Sequence, residues 1–243
     1  MYTSLYITEL NIKRRIWVYL PGDYAISQKK YPVLYMQDGQ NLFDVKSSFS
    51  GEWEIDEYLD TIDYAGIVAG IDNGGDIRIN EYNPNDTEEH GIGLGRQYLQ
   101  VVVKILKPYV DKHFRTLPGP GHTVIAGSSM GGLISFYAGL YHPKTFGAVG
   151  VISPSFWLAP ELLSQIDSME AKGRKNQRYY FYGGRREGEN LVELIESVSS
   201  RIKERFGCHV TVDISEKGTH SESSWRRMFP RFYEWLMKKN HRR

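Results

Sequence analysis

Apolar and polar residues alternate over Leu5–Leu10 and again over Arg14–Leu20, with Asn11-Ile12-Lys13 between the two runs. A period of two predicts a pair of antiparallel strands, the second ended by Pro21-Gly22. The pattern then changes. Short runs rich in apolar and β-branched residues occur at Val33–Met36, Ile67–Ile71, His122–Ala126, Gly147–Ile152, Arg178–Tyr182 and His209–Ile214. Such runs predict strands buried on both faces. Between them lie stretches of helical character at Glu52–Ile62, Gln97–Phe114, Gly132–Leu140, Glu161–Met169, Leu191–Phe206 and Ser221–Lys239. Pro108 is expected to kink or end the second of these, and Pro230 to interrupt or kink the last. Asp72 to Gly95 is polar, rich in Gly and Asn, and without periodicity. A connection that long is usually functional.

Eight strands, six of them separated by helices, predict an α/β fold. Its sheet should be eight-stranded, mostly parallel with an antiparallel start, and covered by helices on both faces. With no repeat or linker in 243 residues, one domain over residues 1–243 is expected. The formal net charge of +1 gives no broad basic field, so no nucleic-acid partner is expected. Cys208 is the sole cysteine, which excludes an intrachain disulfide. Met1 to Arg15 has no long apolar core or cleavage pattern, so the expected location is cytoplasmic. No apolar run approaches the ~20 residues of a membrane span.

One stretch carries chemistry. Gly127-Ser128-Ser129-Met130-Gly131 lies between a predicted strand and a predicted helix. That is the context of a Gly-x-Ser-x-Gly nucleophile elbow. The sharp turn brings backbones close together, and the glycines leave room. It pushes the Ser129 hydroxyl out at a helix N-terminus, where free N–H groups favour developing negative charge.

A serine hydroxyl needs a base, usually histidine. His220 follows the last strand in a loop before the last helix, at the end of the sheet where the elbow should lie. Four others have bland readings, His113 and His142 at helix ends and His122 and His209 opening strands, and His241 is in the tail, while His90, in the long loop, is a candidate to line a site. A carboxylate is then required to hold the imidazole in one tautomer. Glu187 and Glu189 both follow the strand that ends at Tyr182. Glu187 precedes Gly188 and is still in the loop, whereas Glu189 is explained by the dipole of the next helix. Glu187 is therefore preferred. Asp213, within a strand, is a weaker candidate.

Four runs together resemble the putative-esterase (esterase D-like) branch of the α/β-hydrolases. They are Tyr31–Asp44, Gly127–Leu133, Ile152–Trp157 and His220–Trp225. The resemblance extends from about Arg14 to Leu236. It implies an α/β-hydrolase fold, Ser129 as nucleophile, Glu187 as acid and His220 as base. It also implies that the Asp38-Gly39-Gln40 loop sits over the nucleophile. Many members carry the acid in a Gly-Gly-Lys-Glu run, whereas Gly183-Gly184-Arg185-Arg186-Glu187 has one residue more. A tetrahedral intermediate needs two N–H donors, one from the residue after the nucleophile, Met130, and one from an early strand-end loop. Gln40 is the expected second donor, because Gly39 lets the backbone approach.

Around this core, Arg78 and Glu81 either orient substrate or pair with each other. Trp157 either walls an acyl or aromatic group or packs in the core. No His/Cys cluster has metal-ligand spacing, and no cofactor is expected. The expected reaction is hydrolysis of a carboxylic ester through an acyl-enzyme. The family includes feruloyl and acetyl-xylan esterases and siderophore esterases of the enterobactin type, so a small-molecule or oligosaccharide ester is the expected substrate. Acyl transfer by the same residues, or an inactive binding protein on this fold, are the alternatives.

Overall fold

The computed structural model describes residues 2–7, 12–62 and 66–238. Leu10, Lys239 and His241 lie outside the described residues. β1 (Tyr2–Ile7) and β2 (Ile12–Tyr19) pair antiparallel, Tyr2 opposite Trp17. β3 (Val33–Gln37), β4 (Ile67–Ile71), β5 (Thr123–Ser128), β6 (Ala148–Ile152), β7 (Arg178–Gly184) and β8 (His209–Ser215) complete one eight-stranded sheet. Its order is β1-β2-β4-β3-β5-β6-β7-β8. β2 also runs antiparallel to β4, and every later pairing is parallel. The expected α/β sheet with an antiparallel start is thus the observed one.

The two-residue period of each strand divides the interior into two cores. Tyr35, Ile125, Tyr179 and Phe181 face one core with Tyr98, Leu99, Leu133 and Ile202. Leu34, Met36, Ala126, Tyr180 and Tyr182 face the other with Leu59, Trp225 and Phe232. The first is covered by α3 (Gly95–Val101), α4 (Lys107–His113), α5 (Met130–Tyr141), α6 (Leu162–Ser168) and α7 (Leu191–Phe206). The second is covered by α1 (Ile55–Asp60) and α8 (Glu222–Met237). α5 is buried from Met130 to Leu140, so it lies within the first core and shows no polar face.

Several boundaries differ from the pattern, each for a local reason. α1 starts at Ile55, because Glu54 takes a left-handed conformation (φ 52°) that the helix cannot include. Pro108 neither ends nor breaks its helix. Val102–Leu106 forms a π-helical turn between α3 and α4, just before the proline. The wider turn absorbs the missing N–H and the ring. α8 likewise runs on through Pro230. The long polar connection contains a 3₁₀ turn at Gly75–Ile77 and the four-residue α2 (Arg78–Glu81), too short to show a period.

Candidate active site

In the parallel part of the sheet, strand ends point the same way, so the loops after β3, β5, β6, β7 and β8 gather at one edge. β5 ends at Ser128 and α5 begins at Met130, which leaves Ser129 alone in the turn. Ser129 is held at φ 58°, ψ −123°, a strained conformation for a side-chain-bearing residue. The turn is fixed by its backbone, with Ser129 N–H donating to the Ile152 carbonyl at 2.9 Å and Ser155 N–H to the Ser129 carbonyl at 3.1 Å. Gly127 is required by space, since a Cβ there would stand 2.6 Å from the Gly131 carbonyl oxygen. Ser128 is buried under the turn, so only Ser129 presents its hydroxyl.

The Ser129 Oγ lies 3.0 Å from His220 Nε2, and His220 Nδ1 lies 3.0 Å from Glu187 Oε2. The Glu187 side chain is wholly buried, while the His220 ring is 44% exposed and open to solvent. The other Glu187 oxygen, Oε1, accepts from Gly184 N–H at 2.7 Å and from the Ser153 hydroxyl at 2.9 Å. A tight turn brings Glu187 N–H to the Gly184 carbonyl at 3.2 Å. Glu189 is exposed and precedes Asn190, the residue at which α7 is entered. The structure brings Glu187, and not Glu189, to His220.

The loop after β3 flanks the elbow because Met36 pairs with Ala126. Asp38 is left-handed (φ 55°) and starts a 3₁₀ turn over Gly39–Asn41. Gly39 lets that turn lie on β4, since a Cβ there would be 2.7 Å from the Gly70 carbonyl carbon. As first residue of α5, Met130 has no acceptor for its N–H within the helix. Gln40 sits in the first turn of its 3₁₀ segment, and its side chain accepts from Asn73 N–H at 3.2 Å.

A strained serine at a helix N-terminus, in line with an imidazole and a buried carboxylate, is an arrangement suited to acyl transfer. Compared with known families, residues 7–236 match the model described as putative esterase. The chain belongs to the putative esterase family. It is a serine esterase of α/β-hydrolase fold. Over 242 residues it is 26% identical to the uncharacterized protein YbbA of Bacillus subtilis, covering 93% of this chain and 94% of that one. It is also 26% identical to an endo-1,4-beta-xylanase/feruloyl esterase of Xylanibacter ruminicola, covering 91% of this chain and 29% of that one. The enterobactin esterase of Shigella flexneri, solved in the presence of enterobactin, superposes with a TM-score of 0.76 at 21% identity. That match covers 97% of this chain and 58% of the other. The esterase therefore spans nearly all of one relative but only part of the two whose activity is named.

Beside His220 the esterase has a cleft of 320 Å³ lined by Ser153, Ser155, Trp157, Glu187, Glu189 and Leu194, among others. Trp157 is 62% exposed at its edge, so it is not a core residue. Arg78 and Glu81 do not pair with each other. Arg78 grips Asp38 with two bonds, Nε to Oδ1 at 2.7 Å and Nη2 to Oδ2 at 2.8 Å, and Asn73 donates to Oδ1 at 2.6 Å. Burial opposes the Arg78 charge, but Asp38 outweighs it and leaves the guanidinium more firmly protonated than usual. Glu81 is buried against Arg14 at 2.6 Å, and burial raises its carboxyl above the ordinary range. Asp38 and Arg78 thus stand beside the elbow, whereas Glu81 braces the loop from behind.

The other described histidines lie elsewhere. His113 Nδ1 is 2.8 Å from the Tyr109 carbonyl, His142 follows α5, His122 ends a 3₁₀ turn before β5, His209 opens β8, and His90 stands 3.8 Å from Glu89 in the long connection and does not line the cleft beside His220. Sequence reasoning gave no role to Ser153, Ser155 or Trp225, although all three fall inside the family-like runs. Ser155 Oγ lies 3.3 Å from Ser129 Oγ. Among the described residues, the one group of three potential metal-ligating side chains is Glu52, Asp56 and Glu57, without His or Cys. No helix there is long and apolar enough to cross a membrane.

Proposed function

We propose that this esterase hydrolyses its substrate through a Ser129–His220–Glu187 triad. The observation that carries the reading is the pair of 3.0 Å contacts running from Ser129 Oγ through His220 to Glu187. His220 Nε2 takes the Ser129 proton as Oγ attacks the ester carbonyl carbon. Glu187 accepts a hydrogen bond from Nδ1–H, which keeps its proton; the carboxylate selects that tautomer and stabilises the imidazolium as it forms. The N–H groups of Met130 and Gln40 hold the oxyanion. The imidazolium then gives its proton to the departing alkoxide, which leaves an ester on Ser129. Water, deprotonated by the same nitrogen, releases the acid.

The substrate we propose is a feruloyl- or acetyl-type carbohydrate ester or a siderophore ester. Relatives named as feruloyl and enterobactin esterases support this range. The exposed Trp157 at the cleft offers an aromatic ring a face to stack on. A panel of aryl acetates, methyl ferulate and a catecholate trilactone tests both halves of the proposal. Ser129→Ala should abolish turnover of every substrate and labelling by a fluorophosphonate, while Ser128→Ala keeps both. A dead Ser128→Ala beside an active Ser129→Ala would overturn the nucleophile.

A further inference from the structure

Glu187 has two oxygens and only one faces His220. What holds the other decides whether the carboxylate stays aimed. Oε1 receives the Gly184 N–H and the Ser153 hydroxyl. Ser153 is itself fully buried and accepts the Trp225 indole N–H at 2.9 Å. An indole nitrogen can only donate, whereas a hydroxyl carries one proton and can accept as well. With Trp225 occupying a lone pair on Oγ, the hydroxyl proton is left for Glu187. The direction of the chain is fixed: Trp225 Nε1–H to Ser153 Oγ–H to Glu187 Oε1.

Two further observations bear on it. Ser153 adopts φ 43°, a conformation that costs a side-chain-bearing residue energy. Ser129, Asp38 and Ser153 are three of the four non-glycine residues with positive φ among the described residues, and all three follow strands at this edge. The Trp225 ring also stands edge-on to His220, with centroids 5.1 Å apart at 83°. One buried tryptophan in the first turns of α8 therefore touches the histidine directly and reaches its acid through a serine.

We propose that Ser153 and Trp225 are positioning residues that hold the Glu187 carboxylate aimed at His220 and the His220 ring in register; this rests on the reading of Glu187 as the triad acid. Neither hydrogen-bonds to Ser129 or His220: Ser153 acts through Glu187, and Trp225 through Ser153 and by packing against the imidazole. A hydrogen bond to a charged group is worth enough that losing the hydroxyl should lower kcat on an aryl acetate by about 10–100-fold. KM should stay within about twofold, because Ser153, although it backs the cleft, is fully buried and turns its hydroxyl to Glu187. Ser153→Gly is the variant of choice, since glycine accepts φ 43° without strain and should keep Tm near that of the wild type. Trp225→Phe keeps the ring and removes the N–H. It should cost about three- to tenfold in kcat alone and under about twofold once Ser153 is glycine, because coupled residues are not additive.

Glu187→Gln is measured alongside and separates the two levels of the reading. In that background, Ser153→Gly should cost under about twofold more, because Ser153 acts through the carboxylate. A wild-type kcat for Ser153→Gly beside a dead Glu187→Gln overturns the positioning role and leaves the triad standing. So does an effect confined to KM, or one that persists undiminished in the Glu187→Gln background. An active Glu187→Gln overturns the triad reading beneath it.

Discussion

Glu187 and Glu189 differ by two positions and by everything around them. The first is buried, with an oxygen on His220 and two donors on the other oxygen. The second is exposed at the approach to α7. Glu187→Gln keeps the shape but loses the charge that stabilises an imidazolium. The corresponding change in a serine protease costs about 10⁴ in kcat, and a loss of at least ~10² is expected here. Glu189→Gln should cost less than about tenfold, the range left to an exposed charge. kcat for both variants on a fast aryl ester, with folding followed by circular dichroism, checks the pair; a severe loss at 189 alone would reverse the assignment. The three residues in line were each legible in the sequence, because a nucleophile elbow and strand-end loops have local signatures. The groups that hold Glu187 were not. A serine after β6 and a tryptophan five residues beyond His220 look like any loop serine and any core aromatic until the loops after β6 and β7 are laid side by side. Arg78 misled for the same reason: its partner Asp38 is 40 residues away, in another loop.

At the level of elements, the strands and the long helices followed from period alone, and the misses were short pieces. α2 has four residues and the turn carrying Gln40 has three, fewer than one period can reveal. The 3₁₀ turn is also where the proposed oxyanion donor sits, and a backbone N–H cannot be mutated away. Its footing can. Gly39 rests on Gly70 of β4, where a Cβ would come within 2.7 Å of backbone. Backbone cannot yield as a side-chain tip can, so Gly39→Ala must lift the turn off β4. Losing a single oxyanion donor costs about 10²–10³ in kcat, and a loss in that range with KM little changed is expected. The strands themselves should be spared, and thermal unfolding should remain cooperative. A Gly39→Ala variant with wild-type kcat would show that the second N–H comes from elsewhere. Pro108 makes the complementary point, because a π-helical turn ahead of it lets one helix continue where the residue alone predicted a kink or a stop.

Across the molecule, the two faces of the sheet are covered unequally: among the described residues, five helices lie on one and α1 and α8 on the other. The thin layer also carries an electrostatic cost. Asp56, in the first turn of α1, has its carboxyl pushed up to about 7, first by burial and then by Glu57 beside it. Its Oδ1 is buried without a donor. The folded chain thus holds a proton on Asp56 that the unfolded chain, with a carboxyl near 3.8, gives up earlier. Between about pH 4 and pH 7 the folded state binds more protons than the unfolded one, so stability from this site falls as pH rises. It is fully present below about pH 4 and gone above about pH 7. Asn at 56 keeps the shape, stays neutral and can still donate to Glu57. Solvent screening around a half-buried group reduces the gain to roughly 1 kcal/mol, or about 2–4 °C in Tm for a chain of this size. Asp56→Asn should therefore melt about 2–4 °C above the wild type at pH 8 and within about 1 °C of it at pH 4.5. Differential scanning calorimetry at the two pH values reads the difference directly. A variant that gains nothing at pH 8 would show that α1 carries the Asp56 charge without cost, and an equal gain at both pH values would show that the effect does not come from the titration of Asp56.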